Sequence, residues 1–188
     1  MRLAVVIACA AAACRFEANA PAPSAGDAAD VDTRPIDARQ LDALPACPAA
    51  PAGCIPFSCA TNSCYYLCAA QTWPTANSRC IGNGLGCLAT IDDLAENSCI
   101  AANALPAVGP VWIGYVQASG STEPAGGWGW ACRTSSFTPS PPWGLPPPLN
   151  EPNDSGGNED CAAMVNVAGH WNDSACNSQF RYVCELPR

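Results

Sequence analysis

Fourteen cysteines in a chain of 188 residues constrain what this protein can fold into more than any other feature. A reducing cytosol rarely keeps so many thiols in a small protein unless they bind metal, whereas exported domains use them as disulfides that supplement a limited core. The length allows one ordinary domain with extensions, but not two full-sized domains. We therefore expect a single disulfide-rich domain that folds in an oxidising compartment.

Charge and histidine content argue against several classes of function. The 16 acidic residues outnumber the 8 basic ones, and the net charge of −8 makes the chain a poor candidate for binding nucleic acid or an anionic membrane surface. His170 is the one histidine in the sequence, which argues against multi-histidine metal sites. Because it has no evident nucleophile as a partner, we interpret it as a loop residue and do not expect an enzyme.

The first residues resemble an export signal. A positive start at Met1–Arg2 precedes an apolar run that is too short to span a bilayer. The motif Ala11-Ala12-Ala13-Cys14 resembles a bacterial lipoprotein box, in which residues 1–13 are removed and Cys14 is lipidated. Ordinary secretion, with cleavage after residues 18–20, is the alternative. We therefore predict an extracytoplasmic bacterial protein that touches a membrane only through a lipid anchor.

Residues 14–46 are predicted to form a flexible tether. They are rich in alanine, proline and acidic residues, and almost no aliphatic side chain precedes Leu41. Such a segment cannot bury enough apolar surface to offset the entropy of ordering it. All six tryptophans follow residue 70. The folded domain is therefore expected over residues 47–188.

Two helix starts are recognisable inside this domain. Thr72, followed by a proline in the first turn, predicts a helix over 72–81. Asp93 and Glu96 form a variant of the capping box and predict a second helix that ends near residues 104–106. The buried face of this second helix is expected to contain Leu94, Ala95 and Ile100.

The rest of the domain is predicted to consist of short strands and one long irregular stretch. Prolines are frequent within residues 131–160, and loops of that length in compact domains are usually functional or disordered. Two helices with short strands define an α+β domain. The strands are expected at residues 64–67, 111–115, 128–130, 162–165 and 181–184.

A group of carboxylates without local cations suggests a metal site. No lysine or arginine occurs between Thr134 and Phe180. Crowded like charges are unfavourable unless water disperses them or a cation is shared, and carboxylate and amide oxygens are the ligands that Ca²⁺ or Mg²⁺ prefers. A solvated acidic surface is the alternative reading. The carboxylates concerned are Glu151, Asp154, Glu159, Asp160 and Asp173.

The spacing of several motifs resembles the C-type lectin-like domain family, and within it the mannose-type subgroup, over about Cys64 to Leu186. The C-terminal signature places cysteines around a Trp-Asn-Asp triplet, and a Glu-Pro-Asn triplet is followed by a second glutamate at the interval the family has. The motifs are Trp112-Ile113-Gly114, Trp128-x-Trp130, Trp143, Glu151-Pro152-Asn153, Glu159, Cys161, Trp171-Asn172-Asp173, Cys176 and Tyr182-Val183-Cys184.

This resemblance implies one calcium site that also binds sugar. Pro152 would follow a cis peptide bond, which would aim the flanking side chains at one ion. Vicinal 3- and 4-hydroxyls of mannose, glucose or N-acetylglucosamine would complete the calcium shell and bond to the same side chains. The implied ligands of both ion and sugar are Glu151, Asn153, Glu159, Asn172 and Asp173.

Two alternatives remain open beside this reading. A lectin-like fold can serve protein recognition, with calcium only bracing the loops. A second calcium site near Asp154 and Asp160 would lack one ligand, because Gln117 stands where an acidic ligand is expected. Asn153 and Asn172 also begin Asn-x-Ser glycosylation sequons, which we interpret as accidental because a glycan at either would destroy the site.

The resemblance also implies part of the disulfide pattern. Cys161–Cys176, Cys80–Cys184 and Cys54–Cys64 are the implied pairs. Outside the family pattern, Cys87–Cys99 is expected as a further pair, since it would join the ends of the two helices. A four-cysteine zinc site from Cys54, Cys59, Cys64 and Cys68 is the rival reading. Six cysteines fall outside the family pattern and allow fifteen pairings: Cys47, Cys59, Cys68, Cys87, Cys99 and Cys132.

Overall fold

The elements of the fold are known from a computed structural model, which describes residues 46–105, 109–133, 135, 143–144 and 150–188. The predicted signal peptide, Cys14 and all but the last residue of the predicted tether lie outside this range. The elements are β1 (Cys54–Phe57), β2 (Ser63–Gln71), α1 (Trp73–Gly82), β3 (Cys87–Leu88), α2 (Leu94–Ala104), β4 (Val111–Gln117), β5 (Trp128–Trp130), β6 (Cys161–Met164), β7 (Trp171–Ser174) and β8 (Phe180–Pro187).

The strands form one mixed sheet. Its order is β1-β2-β8-β4-β6-β7, with β3 also paired to β8 and β5 to β4. Only β4 and β8 pair in parallel among the strands described; the other pairs are antiparallel. Because β2 and β8 pair along most of their lengths, both are longer than the sequence predicted. Two helices with this sheet confirm the α+β prediction.

Both helices begin where the sequence predicted. Helix α1 has Thr72 at its N-cap and a proline in its first turn. Helix α2 is capped by Asp93, whose Oδ1 accepts the Glu96 N–H at 2.8 Å. The predicted buried face of α2 is partly wrong, because Leu94 is 64% exposed and Ala95 is also exposed. The residues of α2 that are buried are Glu96, Asn97, Ile100, Ala101 and Ala104.

The sheet has an apolar core on each face. Successive side chains of a strand point to opposite faces, and β2 accordingly contributes Tyr65 and Leu67 to one core and Tyr66 to the other. Helix α2 packs into the first core, which also contains Trp171. Helix α1 packs into the second core. The two helices therefore cover opposite faces of the sheet.

Six disulfides lie within the described part of the chain. Two of them, Cys80–Cys184 and Cys161–Cys176, are pairs that the family resemblance implies. The first joins α1 to β8, and the second joins the start of β6 to the segment after β7. The full set is Cys47–Cys64, Cys54–Cys68, Cys59–Cys99, Cys80–Cys184, Cys87–Cys132 and Cys161–Cys176.

The expected Cys54–Cys64 pair is wrong. Cys54 stands directly opposite Cys68 in the β1–β2 register and bonds to it, so Cys64 is left to bond with Cys47. The register of this hairpin depends on the loop between its strands, which the cysteine spacing does not reveal.

The expected Cys87–Cys99 pair is also wrong. Cys87 lies in β3 and bonds to Cys132, whereas Cys99 on α2 bonds to Cys59. The rival zinc reading fails as well, because each of its four cysteines is bonded to sulfur and has no thiolate to offer.

Candidate functional site

The predicted ligands come from two neighbouring parts of the fold. Glu151, Asn153 and Glu159 lie in the loop that leads into β6, and Asn172 and Asp173 lie in β7. β6 and β7 pair with each other, which brings the two groups together. The Glu151–Pro152 peptide bond is cis, as the resemblance implies.

Asp173 is the centre of this region. It is fully buried. Its carboxylate accepts the backbone N–H of Asn153, at 3.1 Å to Oδ1 and 2.9 Å to Oδ2, and the backbone N–H of Asp154 at 2.7 Å to Oδ2. Hydrogen bonds to an ionised acceptor are stronger than neutral ones. Strand β7 therefore holds the loop in place through one side chain.

Glu151 lies against Asp173, and the pKa of its carboxyl group is raised. The Asn153 Nδ2 donates to Glu151 Oε2 at 2.5 Å. Burial raises the pKa of Glu151 to about 7, and contact with the Asp173 carboxyl and the charge of Glu159 push it in the same direction. The carboxylates of this region thus repel one another, which adds to the effect of burial.

Glu159 stabilises the same loop through hydrogen bonds to Ser155 and Asp154. Its Oε2 accepts the Ser155 N–H at 2.8 Å, and its own N–H donates to Asp154 Oδ1 at 3.1 Å. Burial raises the pKa of Glu159, the Ser155 N–H opposes that rise, and the charges of Asp173 and Asp154 add to it. The Asp154 carboxylate therefore stabilises the loop from within, because it accepts the Glu159 N–H.

Asn172 lies beside the backbone carbonyl of Asp173. Its Nδ2 contacts that carbonyl oxygen and also donates to Ser174 Oγ at 3.2 Å. The resemblance gives the Asn172 side chain and the Asp173 carbonyl to the same ion. Their adjacency suits that role, since both groups carry oxygen ligands.

The donor set suits a hard divalent cation. The five residues offer only carboxylate, amide and carbonyl oxygens for an ion, which calcium prefers. Within the described ranges, however, no three His, Cys, Asp or Glu side chains form a compact metal cluster. The predicted ligands are therefore neighbours arranged around Asp173, and not a preformed coordination shell.

Aromatic rings pack beneath the site. Trp171 is fully buried, its Nε1 donates to Asn97 Oδ1 at 2.9 Å, and its carbonyl accepts the Gly144 N–H at 2.9 Å. Tyr115, Trp128, Trp130 and Trp143 pack around it or one another. The tryptophans thus act mainly as core, as the sequence predicted.

His170 contacts Asn166 Nδ2 through Nδ1 at 3.2 Å, which suits a loop histidine.

The sequence reasoning missed one residue that supports this region. Asn97 on α2 is buried and bonded to Trp171, the neighbour of two predicted ligands. A polar residue in a helix usually faces solvent. The sequence offers one signal for it, since Asn97 follows Glu96 in the first turn of α2. Hydrophobic periodicity could not show that a polar residue at this position is buried.

Comparison with known proteins places the fold in a family. The family model described as "Lectin C-type domain" matches residues 69–186. Mouse C-type lectin domain family 4 member G is 32% identical over 142 residues, which are 74% of this chain and 43% of that protein.

Two solved structures share this fold. The cow C-type carbohydrate-recognition domain of CD23, crystallised in the presence of a GlcNAc2Man3 oligosaccharide, aligns with a TM-score of 0.54 and 28% identity, over 76% of this chain and 98% of that one. A protein described as a calcium-independent type II antifreeze protein aligns with a TM-score of 0.52 and 27% identity, over 74% and 95% of the two chains.

The fold and the match define a recognition domain without enzymatic activity, which confirms that an enzyme is not to be expected. The chain belongs to the C-type lectin domain family. It spans less than half the length of the curated relative above. That relative is an animal protein, which contradicts the prediction of a bacterial lipoprotein lipidated at Cys14. Three small residues before a cysteine arise easily in an alanine-rich segment, so the motif carried little information.

Proposed function

We propose that this chain is a calcium-dependent lectin that binds glycans of the mannose type. The observation that carries the proposal is the proximity of Glu151, Glu159 and Asp173: burial raises the pKa of Glu151 to about 7, and contact with Asp173 and the charge of Glu159 add to that rise. Carboxylates arranged in this way gain most from a shared cation, because the ion relieves repulsion that water only screens.

The ligands would be the five residues around Asp173. Three carboxylates carry a charge of −3 against the +2 of one calcium ion, and the two asparagines add neutral oxygens. The ion would supply open coordination positions to two neighbouring sugar hydroxyls. Its proposed ligands are Glu151, Asn153, Glu159, Asn172 and Asp173.

The same side chains would select the sugar. Carboxylate oxygens accept from a hydroxyl and asparagine amides donate to one, so each hydroxyl is both bound and oriented. Asn153 is exposed and Glu151 half-buried, which places the site at the surface. A shallow site of this kind gives weak single-site affinity and relies on clustering for avidity.

The proposed sugars are mannose, glucose and N-acetylglucosamine. In this family the Glu-Pro-Asn triplet suits equatorial 3- and 4-hydroxyls, whereas members that prefer galactose carry Gln-Pro-Asp. The cow CD23 domain, which was crystallised with an oligosaccharide of GlcNAc and Man, shares the fold at 28% identity. It supports a carbohydrate of this class as the ligand.

We also propose that the protein acts outside the reducing cytosol. Six disulfides in a small domain require an oxidising compartment for their formation. Within residues 46–188, so far as they are described, no helix has the length and apolar character needed to cross a membrane.

Protein recognition with purely structural calcium is the competing function. The antifreeze protein described as calcium-independent has the same fold, so the fold alone does not require calcium. A glycan array run first with calcium and then with a chelator separates the possibilities. Retention of mannose-type glycans that the chelator abolishes supports the proposal. Calcium binding without glycan retention supports protein recognition, and no calcium binding contradicts both.

A further inference from the structure

Helix α2 buries two adjacent polar side chains that connect it to different parts of the fold. Glu96 and Asn97 are each 3% exposed. Glu96 accepts from the Tyr65 hydroxyl and from the Asp92 N–H, so it ties α2 to β2. Asn97 points to the turn between β6 and β7.

Asn97 uses both ends of its side-chain amide in that turn. Its Nδ2 donates to the Gly169 carbonyl at 2.9 Å, and its Oδ1 accepts the Trp171 indole N–H at 2.9 Å. Both bonds are buried, where an unmade bond is costly because water cannot replace it. Among side chains of this size, the carboxamide offers a donor and an acceptor together.

The turn contains a glycine where it faces this amide. Gly169 has a φ of +77°, and a Cβ at that position would lie 2.3 Å from Asn97 Nδ2. The bare backbone of Gly169 therefore allows the Asn97 side chain of α2 to approach the turn closely.

The contact is directly connected to the proposed calcium site. Trp171 and Asp173 alternate with Asn172 along β7, so they project from the same face of the strand. Both are fully buried. The Asn97–Trp171 bond therefore holds the start of β7, two residues before the Asp173 carboxylate that accepts the Asn153 and Asp154 N–H groups.

We propose that Asn97 is a positioning residue for calcium binding, acting through Trp171 on Asp173. It is not itself a ligand. This inference rests on the proposed function, but the arrangement of Asp173 and its two backbone donors can also be measured without calcium.

The test is Asn97→Asp, with Tyr65→Phe as the matched control. Aspartate keeps the size and the acceptor but cannot donate to the Gly169 carbonyl. Tyr65→Phe instead breaks a buried hydrogen bond to the neighbouring Glu96, whose carboxylate accepts from Tyr65 and from the Asp92 N–H. Calcium affinity is measured by calorimetry, and backbone amide exchange at Asn153 and Asp154 is measured by NMR in calcium-free protein.

We expect Asn97→Asp to weaken calcium binding by about 10- to 100-fold, the range for residues that support a metal ligand. It should also accelerate exchange at Asn153 and Asp154, whereas Tyr65→Phe should change neither quantity by more than about twofold, because the bond it removes joins Glu96 to β2 and shares no described hydrogen-bond partner with Asn97, Trp171 or Asp173. Trp171→Phe removes the indole donor but keeps an aromatic ring in the core. It serves as the second variant should Asn97→Asp fail to fold, with the same expected result.

Unchanged calcium affinity together with unchanged exchange in the folded variant would overturn the inference. An equal loss in Tyr65→Phe would also overturn it, since that result indicates general destabilisation. If the wild type binds no calcium, the proposed function fails, and the exchange rates alone decide whether Asn97 positions Asp173.

Discussion

The buried carboxylate of Asp173 accepts the backbone N–H of Asn153 through both of its oxygens, at 3.1 and 2.9 Å. A side chain in one strand thus holds a loop that lies 20 residues earlier in the chain. The loop carries three of the proposed calcium ligands, so the same carboxylate organises the loop and stands among the ligands.

Replacement of this carboxylate should therefore affect both stability and calcium binding. In Asp173→Asn, the amide keeps one acceptor but loses the charge, and its NH2 group faces backbone donors. We expect calcium-free protein to lose about 1.5–3 kcal/mol of unfolding free energy, the usual worth of hydrogen bonds to a charged group. Calcium affinity should fall by at least about 100-fold.

Chemical denaturation and calorimetry measure these two effects. Glu123→Gln is the matched control, because it removes one carboxylate from an exposed position outside the site. Wild-type calcium affinity in Asp173→Asn would exclude Asp173 from the ligand set.

Calcium binding should weaken as the pH falls below neutrality. The ion needs ionised Glu151, whose pKa is about 7 in calcium-free protein. Protons then compete with calcium, and the apparent affinity should fall about tenfold per pH unit below 7 from this group. Calorimetric titrations between pH 5.5 and 8 measure the effect, and Glu151→Gln should flatten the profile.

The calcium-free protein should respond to pH in the opposite sense. The folded-state pKa of Glu151 lies above its ordinary value of 4.5, so this group favours folding most below pH 4.5, and the contribution is lost as the pH rises through 7. Calcium should therefore stabilise the protein more at pH 8 than at pH 5.5. A calcium-induced rise in Tm that is equal at both pH values would be at odds with this assignment.

The sugar preference should depend on which of residues 151 and 153 carries the carboxylate and which carries the amide. The double variant Glu151→Gln with Asn153→Asp exchanges the positions of carboxylate and amide. We expect it to lose retention on mannose–agarose and to gain retention on galactose–agarose, both in calcium buffer. Each single variant serves as a control. Unaltered mannose retention by the double variant would mean that this triplet does not contact the sugar.

Arg133 should be essential for stability and dispensable for binding. Its guanidinium lies 2.7 Å from both Asp92 and Glu185, and the Glu185 side chain is 2% exposed. In Arg133→Met, the buried Glu185 carboxylate keeps the Ser63 hydroxyl and the Thr90 N–H but loses its cation, which should cost up to about 3–5 kcal/mol of unfolding free energy. Adding Glu185→Leu should recover much of the loss, because no charge is then left buried.

Denaturant unfolding measures this effect, and Arg79→Met, at an exposed position of α1, is the control. Calcium affinity should stay unchanged in all folded variants. A double variant as unstable as Arg133→Met would show that packing, and not the buried charge, accounts for the loss.

Local signals were sufficient to predict much of the fold. The proline after Thr72 and the cap at Asp93 each act within one helical turn, so the sequence places both helix starts correctly. The proposed ligands could be selected because their spacing follows a family pattern. The buried face of α2 could be predicted only in part: Ile100 is buried as expected, but Asn97 is buried because it finds its partners more than 70 residues away. The Cys54–Cys68 and Cys59–Cys99 pairs were likewise missed, because strand register and helix packing determine them.

The most direct test of this account is a calorimetric titration of methyl α-mannoside into the full chain, with calcium present and then with excess chelator. The account predicts weak saturable binding of one sugar per chain in calcium, no binding in chelator, and no binding to Asp173→Asn in either buffer. Equal binding with and without calcium, or calcium binding that leaves the protein unable to bind any mannose-type sugar, would contradict it.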